Sequence, residues 1–71
     1  MMTAVSLEGE ILNLLRVHGS LSVAFITRFL NERGFDITRQ RVERTLRNLI
    51  GGGKVEAFYV NRNRRKHYRL R

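Results

Sequence analysis

The chain has 71 residues, 42% of them hydrophobic, no cysteine and a formal net charge of +8 at pH 7. One domain over residues 1–71 is expected, with a thin stability margin, because so short a chain buries only about three-fifths of its unfolded surface. The missing cysteines exclude disulfide staples, thiol nucleophiles and Cys-based zinc sites and fit a cytoplasmic protein, while the charge favours a polyanionic partner.

Leu7, Ile11, Leu14 and Leu15 share one helical face, with Ser6 placed to cap and Gly19 to stop, predicting helix 1 over about residues 7–18. Gly9 falls inside it at a cost of about 1 kcal/mol relative to Ala, so either it marks a close approach or the helix starts later. Leu21, between Ser20 and Ser22, is too brief for an independent strand but could bridge to a later sheet edge. Ser22 caps helix 2, expected from about Val23 to Arg33 and burying Val23, Ile26, Phe29 and Leu30, with Phe25 at the boundary. Gly34 ends it, and Phe35 then falls opposite Leu30 as in a Schellman ending.

Thr38 caps helix 3, and Ile37 and Val42 have the spacing of a hydrophobic staple. On a helical wheel Val42, Leu46 and Leu49 cluster, flanked by Thr45 and Ile50, while Gln40, Arg44, Arg47 and Asn48 point the other way. Gly51, Gly52 and Gly53 permit a reversal into a strand in which Val55, Ala57 and Tyr59 alternate with Glu56, Phe58 and Val60. Residues 61–66 form a basic tip carrying Arg62, Arg64, Arg65 and Lys66, and Tyr68 and Leu70 mark the return strand. The expected class is therefore α+β, three helices followed by a C-terminal β-hairpin.

Charge is unevenly placed along this order. Residues 1–38 hold three arginines against four carboxylates, net −1, whereas residues 39–71 hold eleven Arg or Lys against Glu43 and Glu56, net +9. The binding surface should lie in the second half. Arg41, Arg44 and Arg47 on helix 3 are suited to guanine O6 and N7, and Gln40 and Asn48 to adenine. The hairpin tip, Arg62, Arg64, Arg65 and Lys66, suits phosphates or a narrow minor groove. Two helices joined by a short Gly-containing turn are also the helix-turn-helix signature.

Other chemistry finds no support in the sequence. Gly51 to Gly53 follow a helix and lack the Lys-Ser/Thr ending of a phosphate loop. His18 and His67 are far apart with no ligand-spaced partners, so no metal or other cofactor is expected. No nucleophile elbow, paired His or carboxylate cluster appears, and an enzyme is not expected. Glu8 and Glu10 fit the dipole of the helix 1 N-terminus. The stretch from Val17 to Thr27 is too short and too polar to span a membrane, and no signal peptide is evident.

From Leu7 to Leu70 the succession resembles the winged helix-turn-helix superfamily of small bacterial, archaeal and viral transcription regulators. The resemblance rests on Thr38, Val42, Arg44, Leu46 and Leu49, followed by Gly53, Val55, Tyr68 and Leu70. It implies that Leu21 is the short first strand, helix 3 lies in the major groove, and Arg62 to Lys66 form the wing. It also implies that Arg39, Gln40 and Arg44 are base or phosphate readers. No effector domain or dimerisation helix follows the wing, so no small-molecule ligand is expected.

Sequence-specific binding to double-stranded DNA, as a transcriptional regulator, is the expected function. The main alternative is an RNA-binding or general nucleic-acid-coating module, and a third is a protein-interaction module for an acidic partner. RNA readers stack bases on surface aromatics, whereas Tyr59 and Tyr68 are expected on the core face and only Phe58 outward. A homodimer is also expected, because Phe58 and Val60 face away from the core and Met1, Met2 and Val5 lack an assigned place.

Overall fold

The computed structural model describes residues 6–60 and 65–71. The expectations placed on Met1, Met2, Val5, Arg62 and Arg64 fall outside the described residues. In chain order the elements are α1 (Leu7–His18), β1 (Ser20–Ser22), α2 (Val23–Glu32), α3 (Arg39–Gly51), β2 (Val55–Val60) and β3 (Arg65–Leu70). The class is α+β, as expected.

Local chemistry sets the helix boundaries. Ser6 accepts a hydrogen bond from the Gly9 amide at 2.9 Å, and Ser22 and Thr38 cap α2 and α3 through the amides of Phe25 and Arg41. Gly9 is a close approach: a Cβ there would stand 2.9 Å from the Ser6 hydroxyl that caps the helix. Helix α2 ends at Glu32, one residue earlier than expected, with Arg33 as its C-cap. Gly34 follows at φ +98°, which lets the Phe35 amide reach back to the Leu30 carbonyl at 2.9 Å.

The three strands form an antiparallel sheet in the order β1-β3-β2. Leu21 pairs with Tyr68, and β2 pairs with β3 from Val55 opposite Leu70 to Val60 opposite Arg65. The brief Leu21 segment therefore does close the sheet edge. Gly53, at φ +76°, turns the chain out of α3 so that the Lys54 amide bonds the Leu49 carbonyl at 3.0 Å.

The core lies between the helices and one face of the sheet. Ile11, Leu14 and Leu15 of α1, Val23, Ile26 and Leu30 of α2, and Val42, Leu46 and Leu49 of α3 meet Leu21, Val55 and Tyr68 there. Each fully buried aliphatic side chain contributes about 1.5–3 kcal/mol relative to exposure. Phe29, expected inside, is only partly buried, and its ring stacks on His18 at 4.9 Å and faces Phe25 at 6.4 Å.

The two aromatic residues of β2 lie on opposite sheet faces, and Tyr59 differs from expectation in its burial. Tyr59 keeps the alternation of the core side but is 66% exposed, because β2 runs past the last residues that pack against the helices. Phe58 lies on the outer sheet face, as expected, but is half-buried there, 6.0 Å from the His67 ring and 4.3 Å beneath the Arg69 guanidinium.

Candidate nucleic-acid interface

The connection from α2 to α3 covers six residues, Arg33 to Thr38, longer than the tight turn expected, yet most of it is held in place. Ile37 is buried beside Val42 in the core, as a staple requires. Asn31 donates to the Thr27 carbonyl at 2.9 Å and to the Ile37 carbonyl at 3.3 Å, tying the last turn of α2 to the entry of α3. Glu10 lies in the first turn of α1, as expected, and also stands 3.0 Å from Arg33 Nε. Its Oε1 is buried with no aligned hydrogen bond, so the contact is Coulombic and links α1 to the end of α2. These braces fix the orientation of α3, and neither was foreseen from spacing.

Helix α3 divides sharply by face. Val42, Thr45, Leu46 and Leu49 are buried, and the Thr45 hydroxyl is satisfied by the Arg41 carbonyl at 2.9 Å. Gln40, Arg44, Arg47 and Asn48 are exposed, and among the described residues no hydrogen bond or ion pair engages their side chains. Unpaired long donors of this kind remain free to meet a ligand without first breaking an internal contact.

One flank of that face meets the hairpin. Arg39 and Glu43 of α3, Ser22 and Ala24 at the start of α2, and Arg65 and Lys66 of β3 line a cleft of about 510 Å³. Tyr68 also lines it, and the Lys66 ammonium lies 5.7 Å from the Tyr68 ring. Arg41 lies on the opposite flank, in a small hollow with Asp36, Phe35 and Leu7. Of the ten residues singled out from sequence, Arg39, Arg65 and Lys66 are thus brought together, and Gln40, Arg44, Arg47 and Asn48 form the adjoining exposed face. Arg41 is set apart, and Arg62 and Arg64 lie outside the described residues.

Glu43 and Tyr59 were not singled out. The four-residue spacing that puts Glu43 on one stripe with Arg39 and Arg47 was the available signal. Among the described residues no helix is long and apolar enough to cross a membrane, and no group of three or more His, Asp or Glu is placed to hold a metal ion.

No family model matches the chain, and no curated protein matches it. Several solved structures are similar, among them a Zalpha domain and a MarR family regulator. A crystal structure of the PKZ Zalpha domain in complex with ds(CG)6 aligns with a TM-score of 0.73 at 28% identity, covering 89% of this chain and 90% of that one. A MarR family transcriptional regulator from Silicibacter pomeroyi DSS aligns with a TM-score of 0.76 at 17% identity, and the chain, 90% covered, spans 40% of the regulator. Three helices, a β1-β3-β2 sheet and a C-terminal hairpin, superposing on both structures over about nine-tenths of the chain, give the chain a winged helix-turn-helix fold.

Proposed function

We propose that the protein binds double-stranded DNA sequence-specifically, as a transcriptional regulator acting in the cytoplasm or at the nucleoid, and that it is not an enzyme. The observation that carries this is the unpaired Arg, Gln and Asn face of α3 beside a cleft rimmed by Arg39, Arg65 and Lys66. In this reading α3 enters the major groove, where Arg44 offers two donors to guanine and Gln40 or Asn48 pairs with adenine. Arg65 and Lys66, with the basic tip beyond them, neutralise phosphates and set register. The duplex held by the similar Zalpha domain is consistent with such a partner.

Exposure of Tyr59 favours a second reading. An uncovered aromatic ring paired across the hairpin with Lys66 suits base stacking on single strands or RNA. Fluorescence anisotropy with random duplex, single-stranded DNA and RNA at several salt concentrations separates the two. If about six cations meet phosphates, duplex affinity should fall with a log-log slope near −5. A flat salt dependence refutes nucleic-acid binding, and preference for single strands or RNA selects the second reading.

Homodimerisation remains a proposal with a changed surface. Phe58 is covered by Arg69 and His67, which leaves the exposed Tyr59 on the edge strand β2 for a second copy. Sedimentation of wild type and Tyr59→Lys checks it: a dimer that the substitution dissociates supports this surface, and a wild-type monomer with and without DNA refutes it.

A further inference from the structure

Only two carboxylates occur in the basic half of the chain, and they are held differently. Glu56 is bonded to Arg69 at 2.6 Å on the outer sheet face. Glu43 lies in the cleft between α3 and the hairpin, and its nearest ion-pair partner is Arg39, at 3.9 Å. The two side chains are 64% and 42% exposed, and so open a pair contributes little to folding. A carboxylate on a surface meant for phosphates repels them, so it lowers general affinity unless it meets a donor. In the major groove the donors are the N4 amino group of cytosine and the N6 amino group of adenine.

Resting on the double-stranded DNA reading, we propose that Arg39 and Glu43 act together as a readout unit for one G·C pair, Arg39 donating to guanine and Glu43 accepting from cytosine N4. The two side chains lie one helical turn apart and present a donor beside an acceptor. The major-groove edge of a G·C pair runs acceptor, acceptor, donor, from guanine N7 and O6 to cytosine N4. O6 and N4 are themselves hydrogen-bonded and so stand about 3 Å apart, whereas Arg39 Nε and Glu43 Oε2 are 3.9 Å apart, on side chains open enough to solvent to close the difference. An A·T pair in the same orientation reverses both terms: adenine N6 turns a donor toward Arg39, and thymine O4 turns an acceptor toward Glu43. Rejection by two mismatched groups gives the specificity that neither a lone arginine nor a phosphate contact supplies. It also explains how a negative charge fits among Arg39, Arg65 and Lys66, with the phosphates directed to the two hairpin cations.

The test is selection from a duplex library with a randomised core, followed by titration of the selected sites. Wild type should fix at least one position as G·C, with discrimination of about tenfold over A·T. Glu43→Gln should shift the cytosine position toward adenine, because the amide pairs with N6 and N7, and leave other positions unchanged. Arg39→Ala should relax the guanine at the same base pair. If Glu43→Gln tightens every duplex equally without altering any preference, the carboxylate only repels the backbone and the readout unit is overturned while duplex binding stands. Duplex binding by wild type without base preference overturns it in the same way. Failure of wild type to bind any duplex overturns the DNA reading itself. Arg39 is exposed and Glu43 half-buried, and retained binding of either variant to any duplex verifies its fold.

Discussion

Gly34 and Gly51 bracket α3, and alanine at the two positions should move stability in opposite directions. Neither site is crowded, since a Cβ built at either meets nothing within 4 Å, so the effect is conformational. At Gly34, φ is +98°, a region that costs an L-residue about 1–2 kcal/mol. The smaller entropy of the unfolded alanine chain returns about 0.4–1 kcal/mol, leaving a net loss of about 1 kcal/mol. Gly51 is the last residue of α3, where alanine improves helix propensity and also restrains the unfolded chain. A gain of about 0.5 kcal/mol is expected there, reduced from the interior value because helix ends fray. In a domain of this size each kcal/mol moves the melting temperature by about 4–8 °C, so the two variants should melt about 6–12 °C apart, on either side of wild type. Thermal unfolding followed by far-UV circular dichroism, at one salt concentration for all three proteins, measures this. Shifts of the same sign, or a Gly34→Ala protein as stable as wild type, would refute the assignment of a left-handed residue to the helix-turn-helix connection. Gly34→Asn should recover part of the loss, since Asn tolerates that conformation.

Arg44→Ala should weaken cognate duplex by about 1–3 kcal/mol and random duplex much less, whereas Arg65→Ala with Lys66→Ala should weaken both by similar factors and flatten the salt slope by up to about two units. Titrations against cognate and scrambled duplex at three salt concentrations check this, and the reverse pattern would show the roles to be exchanged. The Glu10–Arg33 contact should give a coupling of about 0.5–1 kcal/mol in a double-mutant cycle of Glu10→Gln and Arg33→Ala, small because Arg33 is 55% exposed. Urea unfolding of the four proteins measures it, and strictly additive effects would mean that the pair does not brace the turn.

Much of the fold was legible because short-range chemistry and packing agree in this chain. Ser6, Ser22 and Thr38 each precede an apolar run at helical spacing, and each is a cap. The Schellman contact of Phe35 with Leu30 followed from the position of Gly34 alone. Harder to see were contacts whose partners are distant in sequence. Glu10 has the local surroundings of a residue serving a helix dipole, and only the packing of α1 against α2 brings it to Arg33. Alternation along β2 placed Tyr59 on the correct face, but periodicity carries no information on where a strand outruns the helices beneath it, and burial failed at that point.

The candidate site was legible to the degree that packing does not need it. The side chains of Arg44, Arg47, Gln40 and Asn48 are exposed and make no hydrogen bond or ion pair among the described residues, so their place on the wheel was sufficient to put them on one surface. What the wheel could not supply is which flank of α3 meets the hairpin, because that depends on the β1-β3-β2 order and on the register that sets Arg65 and Lys66 beside Val60 and Tyr59. The fold separates two cations that sequence counting treats alike: Arg39 lines the cleft with the hairpin cations, and Arg41 lines a separate hollow with Asp36. Glu43 follows the same logic with the opposite sign. Read along the helix it is one half of an i, i+4 pair; read in the fold it is the negative group in a cleft of positive ones, so its consequence is for what the cleft rejects.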